Sequence, residues 1–258
     1  MKKILAVICF SFMSLSFANA GILTLGISGS AGLLDVTGKE TITGVTGGDV
    51  IWGDTAAAAR TDATATAATS TQESDEVGIG FVSMFGELGL FETGLRVGLS
   101  YVPYALESET TENVRNDNCG LRNPAAGVDH SALCTQTTNK VSVDLEDLMH
   151  MYVSYHHELD MPFISSVFIK AGIIEADVIT RDVLSSGSLY GNTSLAGEFF
   201  GLGVEKNLEE QGMFVRLEGA VTQFDTIKLT NSNSENTNTI DITGMDGATA
   251  TISIGKTF

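Results

Sequence analysis

The last eleven residues read Ala248-Thr249-Ala250-Thr251-Ile252-Ser253-Ile254-Gly255-Lys256-Thr257-Phe258. Ala250, Ile252, Ile254 and Phe258 fall on one side of an extended chain, and Thr251, Ser253, Gly255 and Thr257 on the other. Successive side chains of a strand point to opposite faces, so this alternation predicts a β-strand with one apolar and one small, hydroxyl-rich face. Lys256 shares the apolar parity. It lies two residues from the end of the strand, where a long side chain can carry its charge into polar surroundings.

The same period recurs seven times upstream. Segments of strand length run over Ile22–Leu33, Val77–Gly86, Gly94–Tyr104, Val141–His156, Phe163–Ile173, Ala196–Lys206 and Met213–Phe224. In the first, Leu23, Leu25, Ile27 and Ala31 oppose Thr24, Gly26, Ser28 and Ser30. In the second, Val77, Ile79, Phe81 and Phe85 read as the apolar face, with Gly78, Gly80 and Gly86 opposite. In the sixth, Phe200, Leu202 and Val204 oppose Gly201, Gly203 and Glu205. The fourth has Asp147 on its apolar parity. The favoured explanation is that the apolar band ends near Met149; the alternative is a bulge that shifts the parity there.

The connections alternate in length. Glu87–Thr93, His157–Pro162 and Asn207–Gly212 are short, whereas roughly Leu34–Glu76, Ala105–Lys140, Ile174–Leu195 and Asp225–Gly247 are long and polar. Strict alternation puts every long loop at one end of the sheet. The expected fold is therefore all-β, a single antiparallel eight-stranded up-and-down transmembrane β-barrel with three short periplasmic turns and four long extracellular loops. A soluble barrel also alternates, but its outer face carries many charges. Here the less apolar face is Gly, Ser and Thr with scattered charges, and the loops hold most of the acid. Phe85, Tyr155, Phe163 and Phe258 near the short-turn ends predict an aromatic girdle.

The chain begins with Lys2 and Lys3, then an apolar run to Phe17, then Ala18-Asn19-Ala20. This order predicts a secretory signal peptide over residues 1–20, cleaved after Ala20 with Ala18 at the other small position, and a barrel over residues 21–258. The formal charge of −18 excludes nucleic acid as a partner, because phosphate binding needs Lys and Arg. Cys119 and Cys134 share one polar stretch of an exported chain and are expected to pair as a disulfide. Closing a loop of about 16 residues would contribute roughly 3 kcal/mol in the chain-entropy model.

The ending Ile252-Ser253-Ile254-Gly255-Lys256-Thr257-Phe258 resembles the C-terminal insertion signal of bacterial outer-membrane barrels, with Ile252, Ile254 and Phe258 as its apolar positions. The resemblance implies delivery to the barrel-assembly machinery and residence among outer-membrane lipid. The chain from residue 21 onward resembles the small eight-stranded group that includes the opacity proteins and other porin-like outer-membrane barrels. Its first two long loops depart from that group, so no ligand specificity carries over.

An eight-stranded barrel is just wide enough to be filled by side chains. The inward candidates are Arg96, His150, Lys170, Glu198, Arg216 and Glu218. Buried charges need partners, so an interior ion-pair network is expected, with Lys170 and Arg216 bridging Glu198 and Glu218. Such a network plugs the barrel; the sharper alternative is a narrow conduit that opens when the pairs exchange. Catalytic, cofactor and metal sites are not expected. His130 beside Ser131 and Asp129 does not form a convergent dyad, and His156-His157-Glu158 reads as a solvated turn. The main role expected is membrane structure and presentation of loops to an extracellular ligand. A small porin-like channel is the alternative, and an enzyme at the barrel rim a third reading. Weak Ca²⁺ binding by acidic loops is a further option.

Overall fold

The computed structural model describes residues 23–44, 69–90, 93–108, 111–117, 135–183, 189–208, 212–231 and 236–258. The expected signal peptide, the Cys119–Cys134 pair and His130 lie outside the described residues. The chain forms strands β1 (Leu23–Gly44), β2 (Thr69–Leu90), β3 (Leu95–Tyr101), β4 (Leu106–Glu107), β5 (Thr111–Asp117), β6 (Thr135–Glu158), β7 (Ser166–Val183), β8 (Thr193–Asn207), β9 (Met213–Phe224), β10 (Ile227–Thr230) and β11 (Asn236–Thr257).

These strands make one closed antiparallel ring in the order β1-β2-β3-β6-β7-β8-β9-β11, and β11 pairs back onto β1. β4 and β5 carry the line of β3 upward against β6, and β10 carries the line of β9 against β11. The wall is therefore eight strands round, as the alternation predicted. At the closure, hydroxyls face each other inside the ring: Ser28 and Ser253 at 2.8 Å, Ser30 and Thr251 at 2.8 Å, Thr24 and Thr257 at 3.1 Å. The short turns need glycine. Gly94 and Gly212 sit at φ of 77° and 73°, where a side chain is strained.

The outward face is an apolar belt. Ile27 lies between Ile254 and Met84, Ile169 between Tyr155 and Leu202, and Ile252 beside Leu217. These side chains are 42–61 % exposed. A contiguous apolar surface running round a whole molecule exceeds what soluble monomers show to water. Tyr155, Phe163 and Phe258 stand exposed at the short-turn end. At the opposite margin Asp35 faces Glu76 on one neighbour and Asp246 on the other, all exposed. Like charges directly opposite repel, so this row stays stable only in water, and it marks the top of the belt.

Two expectations are corrected and one is met together with its alternative. The second segment is inside out: Phe81 and Phe85 are buried in the barrel, while Val82 and Met84 face outward with Gly80. Phe85 therefore leaves the girdle. Both parities of that segment are free of charge, so hydropathy alone could not orient it. Asp147 marks a bulge, and the apolar band also ends near Met149 as expected, because the outward residues above it on β6 are Asp147, Glu146 and Asp144. The φ of Asp147 is 53° and the β6–β7 register slips between Glu146 and Met149. The extra residue reverses the parity, so Leu145 and Leu148 both line the interior. Finally, much of the expected loop sequence is strand. β1, β2 and β11 each have 22 residues and β6 has 24, against about 9–11 for a tilted membrane crossing. The upper portions, such as NTNTIDIT in β11, are polar and threonine-rich. Apart from Ile240 and Ile242, which pack against buried Leu229 and Ile227, they carry few apolar side chains but keep β propensity and ladder bonds.

The inside is filled by aromatic rings laid on glycines. Gly26 is directly opposite Phe85, Gly98 opposite Tyr152, Gly203 opposite Phe168 and Gly255 opposite Phe214. A Cβ built on any of the four would meet its partner ring at 2.4–2.5 Å. The ring covers the backbone that glycine leaves bare, and glycine leaves the ring room to lie across the lumen. Gly255→Ala is expected to destabilise the barrel by about 1–3 kcal/mol, the usual cost of overpacking. Urea unfolding of the refolded protein, followed by gel mobility, measures it, and an unchanged midpoint would show that Phe214 is free to move.

Candidate functional site: the charged layer in the barrel interior

The interior is layered along the barrel axis. Nearest the short turns, Arg216 on β9 places NH1 2.6 Å and NH2 2.7 Å from the two carboxylate oxygens of Glu87 on β2. Its Nε is 2.6 Å from Glu205 Oε2 on β8. β2 and β8 stand four places apart in a ring of eight, which is diametrically opposite. One guanidinium thus ties opposite walls together across the lumen. Arg96 adds a 3.3 Å contact to Glu87, and Tyr152 donates its hydroxyl to Glu87 at 2.9 Å. The Arg216 side chain is 5 % exposed, that of Glu87 1 % and that of Glu205 4 %. Phe85, Phe168 and Phe214 surround the Arg216 guanidinium, the last with its ring centre 4.4 Å away. Planar, multidentate and stacked contacts of this kind suit arginine and not lysine.

One layer higher, Lys170 pairs with Glu218 at 3.0 Å and lies 4.1 Å from the centre of the Tyr152 ring. His150 packs against Phe81 and Phe199. Above this the lining turns apolar. Phe81, Val102, Leu148, Ile174, Val178 and Leu195 form a buried cluster with Ile227, Leu229 and Met245. A cavity of ≈ 90 Å³ sits between the charged layers and this cluster. Higher still, outside the ring, Arg181 binds Asp144, whose carboxylate holds the Arg181 guanidinium above its ordinary pKa.

Of the six residues expected inside, Arg96, Lys170, Arg216 and Glu218 meet in ion pairs, and His150 sits beside them on aromatic rings. Glu198 does not take part. It is exposed and shares the outward parity of Phe200 and Leu202. The carboxylates expected to be Glu198 and Glu218 for both cations are instead Glu218 for Lys170, and Glu87 with Glu205 for Arg216. Parity would have selected Glu205, which shares the face of Gly201 and Gly203. Glu87 was hidden because the strand outruns its expected end. Tyr152 has the parity of His150 and no hydropathy signal against its neighbours.

Ser154, His156 and Glu205 are also brought together. Ser154 Oγ is 3.3 Å from His156 Nε2, and His156 Nδ1 is 3.9 Å from Glu205 Oε2. The order matches a hydrolytic relay, but Phe168 stacks on the imidazole at 4.9 Å and none of the three lines the cavity. The geometry therefore holds the charge layer in place without offering the hydroxyl to a substrate.

No family model matches the sequence, and no curated protein matches it. Among solved structures, the chain is similar to Ail, the attachment invasion locus protein of Yersinia pestis, in complex with the heparin analogue sucrose octasulfate. The identity is 8 %, the TM-score 0.28, and the match covers 86 % of this chain and 98 % of that one. It is also similar to the outer membrane protease OmpT from Escherichia coli, at 11 % identity and a TM-score of 0.27, covering 90 % and 97 %.

Removing Arg216 takes the nearest cation from two buried carboxylates, Glu87 and Glu205, and leaves them only the more distant Arg96. Arg216→Met is expected to cost about 3–5 kcal/mol, as for a buried pair that loses one partner. Lys170→Met, which strands only Glu218, is expected to cost less. Denaturation midpoints of the two variants, compared side by side, test the order.

Proposed function

We propose that this chain is an integral protein of a bacterial outer membrane, exported behind residues 1–20, whose barrel is a closed pillar and whose contacts with the outside are made by its long loops. The cross-lumen tie from Arg216 to Glu87 and Glu205 carries this reading. An ion passing through must break charge-assisted bonds to groups that have no water to turn to. The apolar cluster above it repeats the obstruction with a dry layer.

The outward belt supports the membrane setting. Within hydrocarbon every backbone group must find a partner inside the structure, and a closed barrel is one of two solutions to that demand. In this reading the short turns face the periplasm, the C-terminal strand with Ile252, Ile254 and Phe258 is what the assembly machinery reads, and Cys119–Cys134 staples the second loop. The porin-like alternative needs Lys170 and Arg216 to exchange partners during conduction.

The test is conductance of the refolded protein in a planar lipid bilayer. The expected result is a silent bilayer from protein shown by gel mobility to be folded. Steady channels altered by Glu218→Gln would replace the pillar with a pore.

A further inference from the structure

Among the described residues the wall lacks a ladder at two places: beside β10, which bonds only to β11, and beside the upper part of β2. β2 is bonded to β3 from Leu90 up to Met84, and there the pairing stops. Above it β4 and β5 bond to β6 and, among the described residues, no ladder joins them to β2. The flank of β2 from Val82 upward therefore borders a slit. Val82 N–H crosses it and donates to the Tyr104 hydroxyl at 2.6 Å. Val82 and Tyr104 are 51 % and 45 % exposed and adjoin the upper part of the apolar belt.

Behind the slit lies the ≈ 90 Å³ cavity. Ile79 and Phe81 form one lip and Leu106 the other, with Leu148, Ile174 and Phe199 behind. Its floor carries His150, whose Nε2 is buried with no hydrogen-bond partner. A buried polar atom left unpaired costs free energy that a partner of the right kind recovers. Lys170 and Glu218, also at the floor, already satisfy each other, so nothing there calls for a charged guest. An apolar cavity of about 150 Å³ holds benzene; this one is smaller, so a ring seated in it extends into the slit.

We propose that this cavity binds a small monohydroxylated aromatic molecule that reaches it sideways from the surrounding bilayer through the slit between β2 and β4. The ring packs on Phe81, Leu148 and Ile174, and the hydroxyl pairs with His150 Nε2. The sideways route rests on the membrane reading above; the binding site itself does not.

The probe is p-cresol, titrated into the methyl-labelled, refolded full chain in detergent micelles and followed by NMR. The expected result is saturable shifts at Leu148 and Ile174. Toluene, of the same shape without the hydroxyl, should bind about fivefold more weakly, the worth of one hydrogen bond. Ile174→Phe should abolish the saturable shifts while outward methyls such as Ile27 and Ile254 still report partition into the micelle. Tyr104→Phe, which removes the bond across the slit, should speed exchange of bound p-cresol. Linear, unsaturable shifts confined to outward methyls would overturn the site. Saturable binding with exchange unchanged in Tyr104→Phe would overturn the route. A conducting wild-type barrel would overturn the pillar and leave either binding result standing.

Discussion

Everything in this molecule depends on the pairing of its first strand with its last. β1 and β11 run together from Thr24 against Thr257 to Gly44 against Asn236. Without that ladder the sheet has two long edges, each a row of unpaired amides inside an apolar belt. Such groups in a dry surrounding cost several kcal/mol apiece. Closure removes both edges at once and creates a lumen of fixed width. The hydroxyls of Ser28, Ser30, Ser253 and Thr251 seal its inner side at the line where the ends of the sequence meet. The remaining interior is a packing problem posed by that width.

The solution combines two kinds of pair. Aromatic rings opposite glycines fill the volume, and an arginine held by two glutamates supplies contacts between walls that share no ladder. The two are linked, because the Phe85 and Phe214 rings that rest on Gly26 and Gly255 are also the rings that flank Arg216. Stacking keeps the guanidinium planar against its carboxylates and shields the pairs from water. A charge network of this density in an unscreened interior contributes less to stability than to uniqueness: a one-residue slip of β2, β8 or β9 would turn one of its members outward.

The number of walls, their antiparallel order and the end that bears the long loops were all legible in the sequence, because period two is rigid and turn lengths alternate. Face assignment was legible wherever one parity was polar, as in Met213–Phe224, where Arg216 and Glu218 alternate with Leu217. It failed at Val77–Gly86, where glycine occupies the outward side and phenylalanine the lumen, the reverse of the hydropathy rule. Phe85 could have been placed by its partner, since Gly26 sits on a face that was read correctly. Asp147 was visible as an anomaly, and its left-handed conformation is one that aspartate tolerates better than most residues. Glu198 was a slip of parity by one. The slit beside β2 left no trace, because whether a strand finds a neighbour is decided by distant residues.

The height of the wall has a consequence of its own. In the membrane reading proposed above, the acidic row of Asp35, Glu76 and Asp246 limits the depth to which the barrel can sink, and β1 continues for nine residues beyond it, from Val36 to Gly44. At about 3.3 Å per residue and a tilt near 40°, this raises the strand ends roughly 20–25 Å above that row. The loops are thus mounted on a rigid mast. Their sequences are free to drift toward extremes of composition, such as the alanine–threonine run after Gly53, without disturbing the part of the chain that carries the apolar belt.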